Sequence, residues 1–390
     1  MIFADREKAA DLFSAMVRGN RITLLHDGAA CLSAMLDAIE SARREILFEM
    51  YWFASDRTGR RFAEALAAKA RAGVRVCVIY DAVGSIDADG SMFAEMRRAG
   101  CDVREYNPIA PWRHRFRIGL VNNRDHRKII VVDQTRALTG GVNVADPWAP
   151  ESEGGGGWRD DMILIEGPAA LRLREVFLHT WAELGGVPPG PAMTPADVRS
   201  SGPHGPDDGS PVRVLASHYR VERMAIRRSY LDEIRRARSH IYIANSYFVP
   251  DRVIRNSLAR AVRRGVEVKV LLPGESDVPA VQYASNRLYD WLMKRGIELY
   301  EWQGPVMHAK TAVIDDRWCT VGTYNMDYRS WRANLEVNVA IEDRGVAAAL
   351  AERFRADIAR SAKVDPVNWS YRPLSQRLLE HVFYLFRKLL

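Results

Sequence analysis

Apolar positions along this chain fall into short β-branched runs separated by longer mixed segments. In the first half ITLLH, EILFEMYWF and RVCVIYD read as strands, because Val, Ile, Phe and Tyr suit a pleated, half-buried surface. Residues 32–43 and 60–71, which lie between them, read as helices. Gly73 and Gly265 stand where helices should close and a left-handed residue is wanted. Strands alternating with helices of about 10–15 residues predict an α/β sandwich with the sheet in the middle.

The pattern occurs twice. IESAR at residues 39–43 matches IRRAR at 234–238, and Asp56 matches Asp251 at the same offset. Gly73-Val74, before one apolar strand, matches Gly265-Val266 before EVKVLLPG at a slightly smaller offset. A drifting offset is what loop-length changes leave behind in an old internal duplication. Pro, Gly, Ser and Asp crowd residues 185–211 too densely for helix or strand, so that stretch is expected to be a linker or long surface loop. The expected division is therefore a first half (1–184), the linker (185–211), a second half (212–372) packed beside the first, and a tail (373–390).

Hydrophobic residues at 47% and charged residues at 27% exclude a disordered chain. Lys+Arg 56 against Asp+Glu 49 gives +7, an excess that suits acidic lipid or nucleic acid and equally fits ordinary scatter. Cys31, Cys77, Cys101 and Cys319 form no CxxC pair and no Cys/His cluster with zinc spacing. Cys77 and Cys319 lie in apolar, strand-like runs and read as small core residues of a reducing compartment. The opening MIFADREKAADLF is charged throughout and lacks a signal-peptide core. No apolar stretch approaches the roughly 20 residues that cross a bilayer, so any membrane contact is expected from the surface.

The chemistry is concentrated in two matches to H-x-K-x-x-x-x-D: HRKIIVVD from His126 to Asp133 and HAKTAVID from His308 to Asp315. The interval from His126 to Gly140 and Asn143 equals that from His308 to Gly322 and Asn325, a shared frame that two accidental motifs would not have. KIIVVD and KTAVID are buried-strand runs, so His126 emerges with Lys128 and His308 with Lys310 on one face. Asp133 and Asp315 complete the motif but have the opposite parity and lie at the far strand ends. They are expected to be structural, pairing with a basic residue or capping a turn. A histidine near its ordinary pKa serves as nucleophile when neutral and as acid when protonated. Lysine ammonium and asparagine amide groups supply charge and donors for phosphodiester oxygens.

HRKIIVVD with TGGVN and HAKTAVID with VGTYN resemble the phospholipase D superfamily over nearly the whole chain. WRD leading to IEGP, NSYFVP, NMDYRS and NLE make it similar to bacterial cardiolipin synthases of the short type without N-terminal membrane spans. The resemblance implies two pseudo-symmetric α/β halves, each a mixed sheet flanked by helices, with one active site at their interface. It implies a phosphatidyltransferase working in two steps through a phosphohistidine, with no metal and no cofactor. His126 would attack phosphorus, and His308 would protonate the leaving alcohol and then deprotonate the acceptor. Lys128, Lys310, Asn143 and Asn325 would hold the phosphoryl oxygens. Asp160 and Glu336, each five residues before an aligned isoleucine, would orient the histidines in crossed fashion, Asp160 serving His308 and Glu336 serving His126. Phospholipids, phosphatidylglycerol foremost, would be substrates at an anionic membrane surface on the cytoplasmic side. The alternatives are a hydrolytic phospholipase D and, third, a nuclease, with nucleic acid disfavoured.

Three further stretches bear on this. Residues 147–157, PWAPESEGGGG, lengthen the interval from Asn143 to Asp160 relative to that from Asn325 to Glu336, as a lid or a tolerated insertion would. WRHRFR at 112–117 interleaves aromatics with bases, as a headgroup-docking or a solvated loop would. The C-terminal LSQRLLEHVFYLFRKLL places Leu374, Leu378, Val382, Leu385 and Leu389 on one helical stripe. That pattern fits an interfacial helix, or one packed on the core or on a second protomer.

Overall fold

The computed structural model describes residues 15–110, 121–201, 209–217 and 223–389. The basic-aromatic run at 112–117 lies outside them.

The first half runs β1 (Val17–His26), α1 (Asp27–Ser41), β2 (Glu45–Met50), α2 (Arg57–Arg71), β3 (Arg75–Asp81), α3 (Gly90–Arg98), β4 (Asp102–Tyr106), β5 (Lys128–Val132), β6 (Arg136–Gly140), β7 (Asp161–Glu166) and α4 (Ala169–Glu183). After α5 (Pro195–Ser201) the second half repeats the order. It comprises β8 (Ser210–Ser217), α6 (Ala225–Arg236), β9 (His240–Asn245), α7 (Arg252–Arg263), β10 (Glu267–Pro273), α8 (Pro279–Met293), β11 (Glu298–Trp302), β12 (Lys310–Ile314), β13 (Trp318–Gly322), α9 (Tyr328–Arg332), β14 (Glu336–Ile341) and α10 (Arg344–Ala359). β15 (Ser361–Lys363), α11 (Pro366–Ser370) and α12 (Leu374–Leu385) follow.

Among the described residues all strands join one 15-stranded sheet in the order β15-β11-β10-β9-β12-β13-β14-β8-β1-β7-β6-β5-β2-β3-β4. Either side of the β8–β1 seam the order is the same read outwards. At the seam the strands run antiparallel, with Val17 opposite Val212 and Asn20 opposite Ser210. β2, β3 and β4 pair parallel, as do β9, β10 and β11, while the rest pair antiparallel. The fold is thus a mixed α/β sandwich of two pseudo-symmetric halves. On one sheet face α4 and α10 cover a core that crosses the seam, from Ile129 and Phe177 to Val339 and Leu350. On the other, α1–α3 and α6–α8 cover separate cores for each half. The four cysteines are free and buried.

Local chemistry explains the repeated landmarks. Asp56 and Asp251 are N-caps: Asp56 accepts from Gly59 N–H at 2.8 Å, Asp251 from Val253 N–H at 2.7 Å. Gly73 (φ +86°) and Gly265 (φ +87°) sit just past the ends of α2 and α7. There Val74 N–H bonds Lys69 O at 3.0 Å and Val266 N–H bonds Ala261 O at 3.1 Å, the six-to-one closure that a left-handed residue permits.

The structure corrects two expectations. β2 stops at Met50 rather than continuing through YWF, because Trp52 N–H turns away to Asn143 Oδ1 at 3.1 Å. The segment 185–211 contains a helix, α5, and β8 already begins at Ser210. Thr194 and Asp197 cap that helix reciprocally (Asp197 N–H to Thr194 Oγ1 at 3.2 Å, Thr194 N–H to Asp197 Oδ2 at 2.8 Å), with Pro195 at its first turn.

Candidate active site

Each motif histidine lies just before its strand, and its backbone docks on the other half. His126 N–H bonds Leu335 O at 3.0 Å, and Leu335 N–H bonds Arg124 O at 2.9 Å. His308 N–H bonds Arg159 O at 2.7 Å, and Arg159 N–H bonds Val306 O at 3.0 Å. The residues after Leu335 and Arg159 are Glu336 and Asp160, so this docking brings each acid to the opposite half's histidine. Glu336 Oε2 lies 3.0 Å from His126 Nδ1, and Asp160 Oδ2 lies 2.8 Å from His308 Nδ1. With Nδ1 engaged by a carboxylate, each ring has Nε2 left for chemistry in the cavity that both histidines line.

That cavity, about 340 Å³, is lined from both halves by His126, His308, Asn143, Asn325, Tyr51, Trp52, Trp148, Tyr247 and Arg329 among others. Asn325 Oδ1 accepts from Ser246 Oγ at 2.9 Å. With Asn143 Oδ1 held by Trp52 N–H, each amide has its Nδ2 end available for an anion. Lys128 Nζ donates to His126 O at 2.9 Å; Lys310 Nζ donates to Ser246 Oγ at 2.8 Å and to His308 O. Tyr51 sets its ring edge-on to His126 with centroids 4.9 Å apart, and Tyr247 does the same to His308 at 6.1 Å.

Burial governs the electrostatics. Lys128 is pushed down to about 7 by desolvation and by Lys310; Lys310 falls to about 8 by desolvation. His126 is held well below its ordinary value by burial and then by Lys128 and Lys310. His308 is also lowered, by burial and Lys310, but Asp160 opposes the shift. Burial raises Glu336 to about 7, against the Thr323 hydrogen bond and Lys128. An entering phosphodiester anion would favour the charged lysines and a protonated histidine again.

The two half-sites differ in how the acids are held. Thr323 Oγ1 donates to Glu336 Oε2 at 2.5 Å, and Asn334 Nδ2 reaches Oε1 at 3.3 Å. The position equivalent to Thr323 is Gly141, where a Cβ would come within 2.0 Å of Asp160 Oδ1. Asp160 instead takes the Trp148 indole N–H at 3.0 Å on the oxygen that faces His308. Trp148 comes from the inserted stretch 147–157, which is folded rather than open. Gly156 N–H bonds Asp146 O at 3.0 Å, Gly157 N–H bonds Ala149 O at 2.9 Å, and Trp148 is 1% exposed. Behind His126, buried Arg127 ties the halves by donating to Ser217 O at 2.8 Å and Thr180 Oγ1 at 3.0 Å.

Asp133 and Asp315, carried among the candidate residues, do not line the cavity. Asp133 accepts from Arg43, Arg44 and Glu45 N–H (2.9, 2.7 and 3.0 Å), and Asp315 from Arg238, Ser239 and His240 N–H (2.9, 2.8 and 3.1 Å). They anchor the turns before β2 and β9, which is why the motif ends in an acid of opposite parity. Tyr51, Tyr247 and Trp148, which line the cavity, and Ser246, which holds Asn325 and Lys310, are residues that sequence reasoning missed. The internal alignment pairs Tyr51 with Ser246, so repetition hides both, and Trp148 falls in an insertion without a counterpart. Among the described residues no group of His, Cys, Asp and Glu is placed to hold a metal ion.

The family described as cardiolipin synthase, PLD-like domain, matches residues 35–181 and 230–358. Cardiolipin synthase A of Edwardsiella ictaluri (strain 93-146) is 32% identical over 401 aligned residues, covering 100% of this chain and 82% of that protein. Cardiolipin synthase A of Yersinia pseudotuberculosis serotype O:1b (strain IP 31758) is 33% identical over 376, covering 96% and 76%. The crystal structure of phosphatidylserine synthase from Haemophilus influenzae Rd KW20 superposes with a TM-score of 0.72 over 99% of both chains at 15% identity, which shows a shared fold.

Proposed function

This chain belongs to the phospholipase D-like family of cardiolipin synthases, and we propose from that premise a division of labour between its two histidines. It is a phosphatidyltransferase of the cardiolipin synthase type. Neutral His126 attacks the donor phosphorus through Nε2, forming a P–N bond as the P–O bond to the headgroup alcohol breaks. His308, protonated once the anion is bound, gives its Nε2 proton to that departing oxygen. In the second step neutral His308 takes the proton of an acceptor hydroxyl, whose oxygen attacks phosphorus and displaces His126. Glu336 accepts the charge that builds on the His126 ring, and Asp160 does the same for His308. Lys128, Lys310, Asn143 and Asn325 hold the non-bridging oxygens as negative charge develops.

The observation that carries this reading is the pair of buried histidine–acid couples facing one cavity, with burial and the lysines lowering His126 and Asp160 opposing that shift at His308. Phosphatidylglycerol is the proposed donor and acceptor. Two molecules would give one diphosphatidylglycerol and one free glycerol at an anionic membrane surface, reached from the cytoplasmic side. No described helix is long and apolar enough to cross a membrane. The purified protein should convert phosphatidylglycerol vesicles to cardiolipin and glycerol in equal amounts, measured by lipid mass spectrometry and a glycerol assay. Phosphatidic acid with glycerol and no cardiolipin would establish hydrolysis instead.

A further inference from the structure

We propose that the outward face of α12 docks on a bilayer containing anionic phospholipid and brings the catalytic cavity to headgroup depth. The inference rests on the lipid-transfer reading above and names the surface through which that reaction meets its substrate.

The packing of α12 is inverted for a helix surrounded by water. Its buried side holds Glu380, 0% exposed, ion-paired to Arg372 at 2.8 Å. Arg372 in turn reaches Asp290 of α8 at 3.3 Å, and Phe383 stacks on Tyr283 of α8 with centroids 5.6 Å apart. These contacts fix the helix with its leucines outward: Leu374 is 77% exposed, Leu378 64%, Leu385 60% and Leu389 64%. Apart from Ile86, Val187 and Val253, every exposed large hydrophobic side chain among the described residues lies within 367–389. Exposed apolar side chains are ordinary when scattered; gathered on one helix they mark a contact surface.

Charge and continuity decide the occupant. Arg377, Arg387 and Lys388 flank the stripe, and the cleft between α8 and α12 adds Arg287, Lys294 and Arg295. Basic side chains around an apolar helix face suit a leaflet of anionic headgroups. Two copies packed face to face would set these like charges against each other. The stripe also leads to the site: Leu389 lines the catalytic cavity, and its carbonyl accepts from Arg329 Nη1 at 3.3 Å. A helix lying in the headgroup layer therefore opens the cavity towards lipid phosphodiesters at the same depth.

The test uses the full chain with Leu378→Glu and Leu385→Glu together, or both to Ser if the glutamates lower the melting temperature. Co-flotation is measured with phosphatidylglycerol–phosphatidylethanolamine vesicles and with phosphatidylcholine vesicles. Turnover is followed on vesicles and on short-chain, monomeric phosphatidylglycerol, with solution mass in parallel. The wild type should float with the anionic vesicles. The double variant should lose roughly tenfold or more of that partition and of vesicle turnover, with turnover on monomeric substrate and melting unchanged. Vesicle binding equal to wild type would overturn the proposal. So would a wild-type dimer that the variant dissociates while still floating, since the face would then belong to a second copy. Absence of turnover on monomeric substrate in the wild type would contradict the transfer reading and leave the flotation result to judge the surface.

Discussion

At the scale of single residues, the site is built on histidines and lysines that burial pushes below their ordinary pKa values. His126, Lys128, His308 and Lys310 were legible from strand parity, because alternation puts residues two apart on one face whatever the fold around them. Their protonation was not legible, since burial and the meeting of two lysines depend on how the halves pack. Lys128 at about 7 and Lys310 at about 8 are partly neutral in the empty cavity near pH 8. Bound anion favours their charged forms, so binding must take up protons, and each proton lost as pH rises weakens binding. Titrating His126→Asn, which cannot form the adduct, with short-chain phosphatidylglycerol at pH 8 should give net proton uptake, read by calorimetry in two buffers of different ionisation enthalpy. Affinity should fall between pH 7 and pH 9. No net uptake, with affinity flat over that range, would show that the lysines are fully charged beforehand.

Among the elements, helix ends and motif strands followed the sequence closely, while loops did not. Asp56 and Asp251 stood out by repetition and prove to be N-caps. The glycine-containing stretch 147–157 left a lid and a tolerated surface insertion both open, because composition reports backbone freedom and not which hydrogen bonds consume it. The loop instead folds against the site and carries Trp148 to Asp160. Its indole N–H holds the Asp160 carboxylate in place beside His308. Trp148→Phe keeps most of the volume and removes that donor. kcat should fall by about tenfold, the scale of one hydrogen bond to a charged group. The limb of the rate profile set by His308 should move to higher pH, because a carboxylate oxygen no longer shared with the indole holds the His308 proton more strongly. An unmoved profile with a lower melting temperature would make Trp148 a packing residue alone.

For the whole molecule, the duplication was readable from the repeated frame, but the continuous sheet was not. β1 and β8 carry no sequence mark of their partner, and the seam follows from two edge strands that would otherwise stay unpaired. The crossed assignment of Asp160 and Glu336 likewise came from resemblance and not from spacing. Its physical cause is the docking of each histidine's backbone on the residue before the other half's acid. A symmetric frame with unequal support leaves one question on which the chemistry turns: which histidine carries the phosphatidyl group. The direct measurement incubates His308→Asn with a short-chain phosphatidyl ester whose leaving alcohol needs no proton, followed by an alkaline quench and peptide mass spectrometry. The phosphatidyl group should be found on His126, with no adduct in His126→Asn. Label on His308 in His126→Asn, and none on His126 in His308→Asn, would contradict the assignment.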